Sequence, residues 1–444
     1  LEAERELAAR AVARALALGA DDAEATCTVV DRFSVEARDA ELTKLERSIG
    51  RGLTLRVFRD GAKAVGSTSD GSPEGIEATI RAVVDVAAYV APDPYGGLAD
   101  ATVPDASDDR ELDLFAADVA ARAPEAKIAD ALELERAARA FDVRITNSSG
   151  AAVADATTTI ALANSRGFVG SYRATQASRG VSPIATRGAE RRNASYGSAA
   201  RSYGALETSV SIGATAARRA IGMLGARPPA TGRCPIVFER DVAAAVLADL
   251  FTAVSASNVA IGNSFFASKI GERVGSPLVT IVDDGRLPGG LGSAPFDDEG
   301  TSTRRTVVVE AGVLRTFLYD VRYARRLGAR TTGNASGNGV GATNFLLGPG
   351  AGTLAELIAA TPRGILVTET IGFATESVTG TYSRGASGYA IEGGELAHPI
   401  DRFTIAGNLL DMLAAVDRVA RDLVLDQQIA SPSFRVAEMT VSGA

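Results

Sequence analysis

The chain has 444 residues, 46% of them hydrophobic, with 46 Lys and Arg against 54 Asp and Glu and a formal charge of −8. That length predicts two or three domains with substantial cores, and the acidic balance excludes a sequence-wide attraction to nucleic acid or anionic membrane. One histidine, His398, and two cysteines, Cys27 and Cys234, remove most metal-hydrolase and Ser–His or Cys–His chemistries, because imidazole is the usual base near neutral pH and the commonest metal ligand.

The opening Leu1–Arg5 stretch begins a charged amphipathic helix with Leu7, Val12 and Leu16 on one side, not a signal peptide, and the helix ends near Gly19. Cys27–Arg38 and Gly52–Arg59 alternate apolar and polar residues as half-buried strands do. Asp60-Gly61 marks a tight turn into a third strand at Ala62–Ser69, and Ser72-Pro73-Glu74 starts a helix through Ile76, Ile80 and Val84. A linker follows from Ala91 through the acidic stretch to Arg110. Residues 1–100 therefore read as a small α/β domain.

A middle helix-strand domain, 105–225, opens with helical segments at Leu112–Arg122 and Pro124–Phe141. Strands follow from Val143 to about Ser178, with turns at Asn147–Gly150 and Asn164–Gly167. Arg187–Tyr203, rich in Arg, Ser, Gly and Tyr, reads as a solvated loop or edge ribbon rather than a nucleic-acid patch. A helix from about Leu206 to Leu224 ends at the boundary Ala226-Arg-Pro-Pro229.

The third domain, 226–444, is the largest and the richest in strands. It begins with a strand at Pro235–Phe238 and a helix from Asp241 to about Ser255. Thr306–Tyr319 is a hairpin around Glu310-Ala-Gly312, and further helices are predicted at Val321–Leu327, Leu354–Ala360 and Asn408–Arg421. The fold class is α+β. No run of about 18 apolar residues marks a transmembrane helix. Both cysteines read as small buried apolar residues, and a reducing cytoplasm is the expected location.

Few motifs carry chemistry. The glycine-rich Gly333–Gly341 lacks the Gly-Lys-Ser/Thr ending of a phosphate-binding loop and reads as a loop lining a cavity. Asp283-Asp284-Gly285 and Asp297-Asp298-Glu299-Gly300 do not alternate as calcium ligands do and read as structural turns. No Gly-x-Ser-x-Gly elbow occurs, and His398 sits in a hairpin turn leading into a strand, as a surface or packing residue.

A set of short runs nevertheless has a recognisable order: Gly232–Phe238, Val279–Gly285, Phe296–Thr301, Thr332-Gly-Asn334, Ala342-Thr-Asn344, Gly380–Gly385 and Ile405–Leu409. With Leu45-Glu-Arg47, Arg51-Gly-Leu53, Ser67–Asp70 and Asp93-Pro-Tyr95 it resembles the TldD/PmbA family, also described as modulators of DNA gyrase, over essentially the whole chain. In TldD-like members a His-Glu-x-x-x-His helix and a cysteine near the C-terminus hold a metal, with the Glu as base. Counted back from Val282–Gly285, that motif falls here on Leu247, Ala248 and Thr252, and Asp422–Ala444 holds no cysteine.

The resemblance is therefore to the PmbA or TldE branch. It implies a chain with no catalytic residue, metal or cofactor of its own, paired in a heterodimer with a TldD-like metallopeptidase subunit that carries zinc or iron. This chain would complete a chamber for peptide or unfolded-protein substrates. Asn334, Thr343, Asn344 and Arg384 are the candidate chamber-facing residues. Two alternatives stay open: a homodimeric binding or structural protein, and a subunit of a specialised biosynthetic hydrolase. Nothing in the sequence points to a nucleic-acid or membrane partner.

Overall fold

The computed structural model describes residues 1–99, 111–372 and 375–443; the acidic part of the expected linker, 100–110, lies outside the described residues. Helix α1 (Glu2–Ala17) buries Ala8, Ala11, Val12 and Ala15. Its companion α2 (Pro73–Ala87) starts at the predicted cap, where the Ser72 hydroxyl accepts the Gly75 N–H and Pro73 gives up no needed donor. Both lie on β1 (Asp22–Arg38), β2 (Glu41–Arg59) and β3 (Ala62–Thr68).

After α3 (Ala117–Ala121) and α4 (Pro124–Ala140) the same sheet continues as β4 (Ile145–Asn164), β5 (Val169–Arg187), β6 (Glu190–Asn193) and β7 (Tyr196–Ala200). Its order is β3-β2-β1-β4-β5-β6, with β7 also paired to β5, so the first two predicted units share one antiparallel sheet. Alternation decides its packing. Ala23, Ala25 and Cys27 of β1 meet α1 and α2, and farther along the same face Phe33 and Val35 meet α4. Helix α5 (Ser209–Gly222), capped by Thr208, packs beside α4 and on β5.

Several expectations change here. The Leu112–Arg122 helix shrinks to α3. Asn147–Gly150 is no turn but an irregularity inside β4, made possible by Gly150 at φ 119°. Asn164–Gly167 does form the β4–β5 turn, and Arg187–Tyr203 is the edge ribbon of β6 and β7.

The C-terminal region starts with β8 (Gly232–Phe238), α6 (Arg240–Val254) and α7 (Ala256–Ala260). Then come β9 (Ile281–Asp284), β10 (Arg305–Glu310), β11 (Val313–Leu314), α8 (Val321–Arg326), β12 (Ala335–Ser336), β13 (Gly339–Val340) and β14 (Phe345–Leu347). The chain ends with α9 (Leu354–Ala359), β15 (Arg363–Ile371), β16 (Thr381–Glu392), β17 (Glu395–Asn408), α10 (Leu409–Ala414), β18 (Val416–Val419), β19 (Ile429–Ala430) and β20 (Phe434–Gly443).

Strands β17-β16-β15-β8-β20 pair in that order and β20 pairs back to β17, closing a barrel to which β18 adds. Closure leaves those strands little exposed edge. A second sheet runs β11-β10-β9-β14-β19, and α6 packs against β14, β15 and β19 over the largest core cluster, with Phe238, Leu250, Phe345 and Phe434. The predicted Asn408–Arg421 helix stops at Ala414, because the β-branched Val416 and Val419 go into β18. The α+β architecture is as expected, with a small α/β start, a mixed middle and a β-rich C-terminal domain.

Candidate functional site

Helix α6 carries the positions where a metal motif would stand. They do not share a face: residues five apart lie about 140° around a straight helix. Leu247 is 3% exposed in the core, whereas Ala248 and Thr252 are on the partly exposed side. Thr252 donates its hydroxyl to the Ala248 carbonyl, and its own carbonyl accepts from Asn258 Nδ2 at 2.7 Å.

Beside them stands Asp249, the lone charge in an otherwise apolar and hydroxylic run from Val242 to Val254. Both its oxygens accept from Arg384 Nη2 at 2.8 Å, and Thr375 Oγ1 donates to it at 2.9 Å. Arg384, on β16, also reaches the Gly372 carbonyl and lies over the Tyr382 ring. Burial pushes the Tyr382 hydroxyl well above its usual range, and its oxygen, like Arg384 Nε, is buried without a hydrogen-bond partner. A side-chain ion pair thus links α6 to the barrel at this point.

The other three candidate residues gather elsewhere, around β9. Asp283 is 1% exposed and accepts from the Thr343 N–H (2.9 Å), Thr343 Oγ1 (2.7 Å) and Asn334 Nδ2 (2.6 Å). Asn344 donates to the Asp284 carbonyl and to Ser293 Oγ, and accepts from the Gly292 N–H. Burial raises the Asp283 pKa against the pull of those donors. The polar atoms of Asn334, Thr343 and Asn344 are thus engaged within the loops, and Arg384 is not among them.

A third cluster joins the long sheet to the C-terminal domain. Arg56 of β2 donates to Glu24 of β1 at 2.6 Å and to the carbonyls of Asp298 and Gly337. Asp297 accepts the N–H groups of Glu299, Thr301 and Ala335 and so builds the expected turn, whereas Asp283 and Asp284 lie at the end of strand β9, where only Asp284 caps a turn by accepting the Arg286 N–H; Gly333–Gly341 is the clamped β12–β13 hairpin. Burial, with Asp297, Asp298 and Glu299 nearby, pushes the Glu24 carboxyl up to about 8 despite Arg56, and burial takes Asp297 to about 7. Arg201 adds a second tie through the carbonyls of Gly290, Leu291 and Ser293, while Phe296 packs edge-on against Phe168 and Tyr172.

His398 lies half-buried on β17; Cys27 is buried and Cys234, on β8, is half-buried rather than fully so, both as free thiols. Among the described residues no three His, Cys, Asp or Glu side chains gather to hold a metal ion, and no helix is long and apolar enough to cross a membrane. Leucine, alanine and threonine on α6 do not fit a metal. Beside the motif positions stands the locked ion pair of Asp249 and Arg384.

Three family models match in order: PmbA/TldA metallopeptidase domain 1 at residues 23–87, the central domain at 105–224 and the C-terminal domain at 231–443. The chain belongs to the PmbA/TldD family. Among its relatives, the metalloprotease PmbA of Escherichia coli O157:H7 is 31% identical over 446 residues, covering 100% of this chain and 98% of that one. A crystal structure of a putative modulator of DNA gyrase from Bacteroides thetaiotaomicron superposes with a TM-score of 0.92 at 27% identity over 100% of both chains. TldE from Thermococcus kodakarensis shares the fold, with a TM-score of 0.88 at 20% identity, covering 98% of this chain and 99% of that one.

Proposed function

We propose that this chain is the metal-free, TldE-like subunit of a heterodimeric metallopeptidase of the cytoplasm. A TldD-like partner supplies zinc or iron and the catalytic groups, and this chain completes the chamber that encloses peptide or unfolded-protein substrates. The observation that supports this reading is what stands at the three motif positions of α6. A family member matched from end to end carries a core leucine, a methyl group and a threonine at the motif positions, with the neighbouring Asp249 already committed to Arg384.

Under this reading Asn334, Thr343, Asn344 and Arg384 serve the chamber by fixing its loops. Extended substrates are held by strand addition, where backbone hydrogen bonds give affinity with little demand on sequence. The free thiols of Cys27 and Cys234 suit a reducing compartment. Co-expression with a TldD-like subunit tests it: a one-to-one complex that cleaves unfolded casein, is stopped by chelator and is inactive as separated chains is the expected result. Stoichiometric zinc or iron on this chain alone, or chelator-resistant cleavage by it, would overturn the reading.

A further inference from the structure

Strand β7 is an outer strand of the long sheet, and β5 is its only strand partner among the described residues. Which of its backbone groups point outward follows from the hydrogen bonds of β5. The Thr175 N–H donates to the Leu114 carbonyl and the Pro183 carbonyl accepts the Ala194 N–H, both on the β7 side, whereas the Thr186 N–H turns the other way, to the Arg144 carbonyl. Odd residues of β5 therefore bond toward β7, and Ala177, Arg179 and Val181 hold Ala200, Ser198 and Tyr196. Gly197 and Ala199 fall in the alternate pairs. Their N–H and C=O groups turn away from β5 and meet no hydrogen-bond partner among the described residues.

An unpaired edge usually lies open to water, yet all five residues of β7 are half-buried. The edge lines two adjoining clefts of about 490 and 520 Å³, which share Ser198, Ala199 and Asp426, the last from the loop between β18 and β19. So recessed an edge suits a single extended chain better than the edge of a folded sheet. Asp426 is half-buried and makes no ion pair among the described residues; burial lifts its carboxyl above the usual range, Arg240 opposes the rise, and Asp241 and Glu207 add to it. The arginines nearby are already engaged, Arg240 with the Tyr196 hydroxyl at 2.7 Å, Arg219 with Glu239 and Asp241, and Arg201 with main-chain carbonyls.

We infer that the free edge of β7 takes up an extended peptide segment as an added strand, with a lysine or arginine of that segment against Asp426. The peptide's backbone pairs with the outward N–H and C=O groups of Gly197 and Ala199, about 7 Å apart along the strand. A cationic side chain supplies the partner that Asp426 lacks, in a cleft where water screens the pair less than at an open surface. The inference rests on the peptide class of substrate proposed above, and it adds a place and a charge preference.

The experiment uses the full chain alone and reads binding, not cleavage, so its outcome does not depend on a metal-bearing partner. In fluorescence anisotropy a fluorescein-labelled octapeptide alternating threonine and lysine should bind saturably. Its glutamate counterpart, and a lysine peptide N-methylated throughout, should each bind about tenfold more weakly or worse. Ala199→Pro removes an N–H that the ladder with β5 does not use, so this variant should keep its far-UV CD and lose about tenfold in affinity. Asp426→Asn should bring the lysine and glutamate peptides within about threefold of each other. Should Ala199→Pro fail to fold, the N-methylated peptide probes the same backbone bonds. Absence of saturable binding up to about 1 mM, equal affinity for the plain and N-methylated peptides, or an Asp426→Asn variant that discriminates as well as the wild type would overturn the inference.

Discussion

Asp249 and Arg384 stand 135 positions apart in sequence, yet they make the best-defined side-chain pair near the motif positions on α6. Their side chains are 16% and 10% exposed, so removal of one partner leaves a charge with little water to replace it. Arg384→Ala should destabilise the C-terminal domain by about 3 kcal/mol, and Asp249→Ala by a similar amount. Since each loss contains the penalty of the orphaned partner, the double variant should fall well short of the sum. Urea titrations of the four proteins check this, and simple additivity would show that the pair does not couple α6 to β16. Arg384 is among the residues named from the sequence, within the recognisable Gly380–Gly385 run; Asp249, though the odd charge of an apolar helix, is not, and the pairing was not legible because no periodicity links a helix residue to a strand so far along the chain.

At the scale of elements, the Glu24–Arg56 clamp sits in the joint between the long sheet and the β12–β13 hairpin. Burial raises the carboxyl pKa values of Glu24 (to about 8), Asp297 (to about 7), Glu299 and Asp320. Acids raised in the folded state bind protons that the unfolded chain has released above about 4.5. Their contribution to stability is therefore fully present below that value and is lost as the pH rises through 7 to 8. Glu77 and Asp142, held near 2 chiefly by hydrogen bonds from Arg14 and Arg144, act with the opposite sign and lose their contribution as the pH falls from about 4.5 toward 2. Stability should peak at mildly acidic pH, with a Tm roughly 2–4 °C higher at pH 6 than at pH 8.5. Glu24→Gln, which keeps an oxygen for Arg56, should flatten that slope in a fluorimetric melt; an unchanged slope would remove Glu24 from the account. Elements whose apolar residues keep a period were readable in advance, as in α2, α4 and the β10–β11 hairpin. The stretch Glu41–Arg51 was not, because a strand exposed on both faces shows no alternation.

For the whole molecule, sheet connectivity divides the chain differently from its sequence punctuation. The Pro- and Gly-rich stretch after Val90 reads as a boundary, but β1 on one side of it pairs with β4 on the other along fourteen successive residue pairs. Ala161 and Ala163 of β4 belong to the same core as α1 and α2. A fragment ending at Leu98 would bare the inner edge of β1 as well as the free edge of β2, two long unpaired edges that invite aggregation. The segment 226–443 differs: its barrel closes on itself, and its largest core cluster is drawn wholly from residues after Gly232. Expressed separately, 226–443 should be soluble and melt cooperatively, though less stable than the full chain because Arg56 and Arg201 no longer hold its loops. Residues 1–98 alone should be insoluble, and joining them to the middle region as 1–225 should restore a folded sheet. Calorimetry on the soluble fragments checks this. A cooperative melt from 1–98 would mean that the first strands carry a self-sufficient core, and that the shared sheet is a junction between domains rather than the body of one.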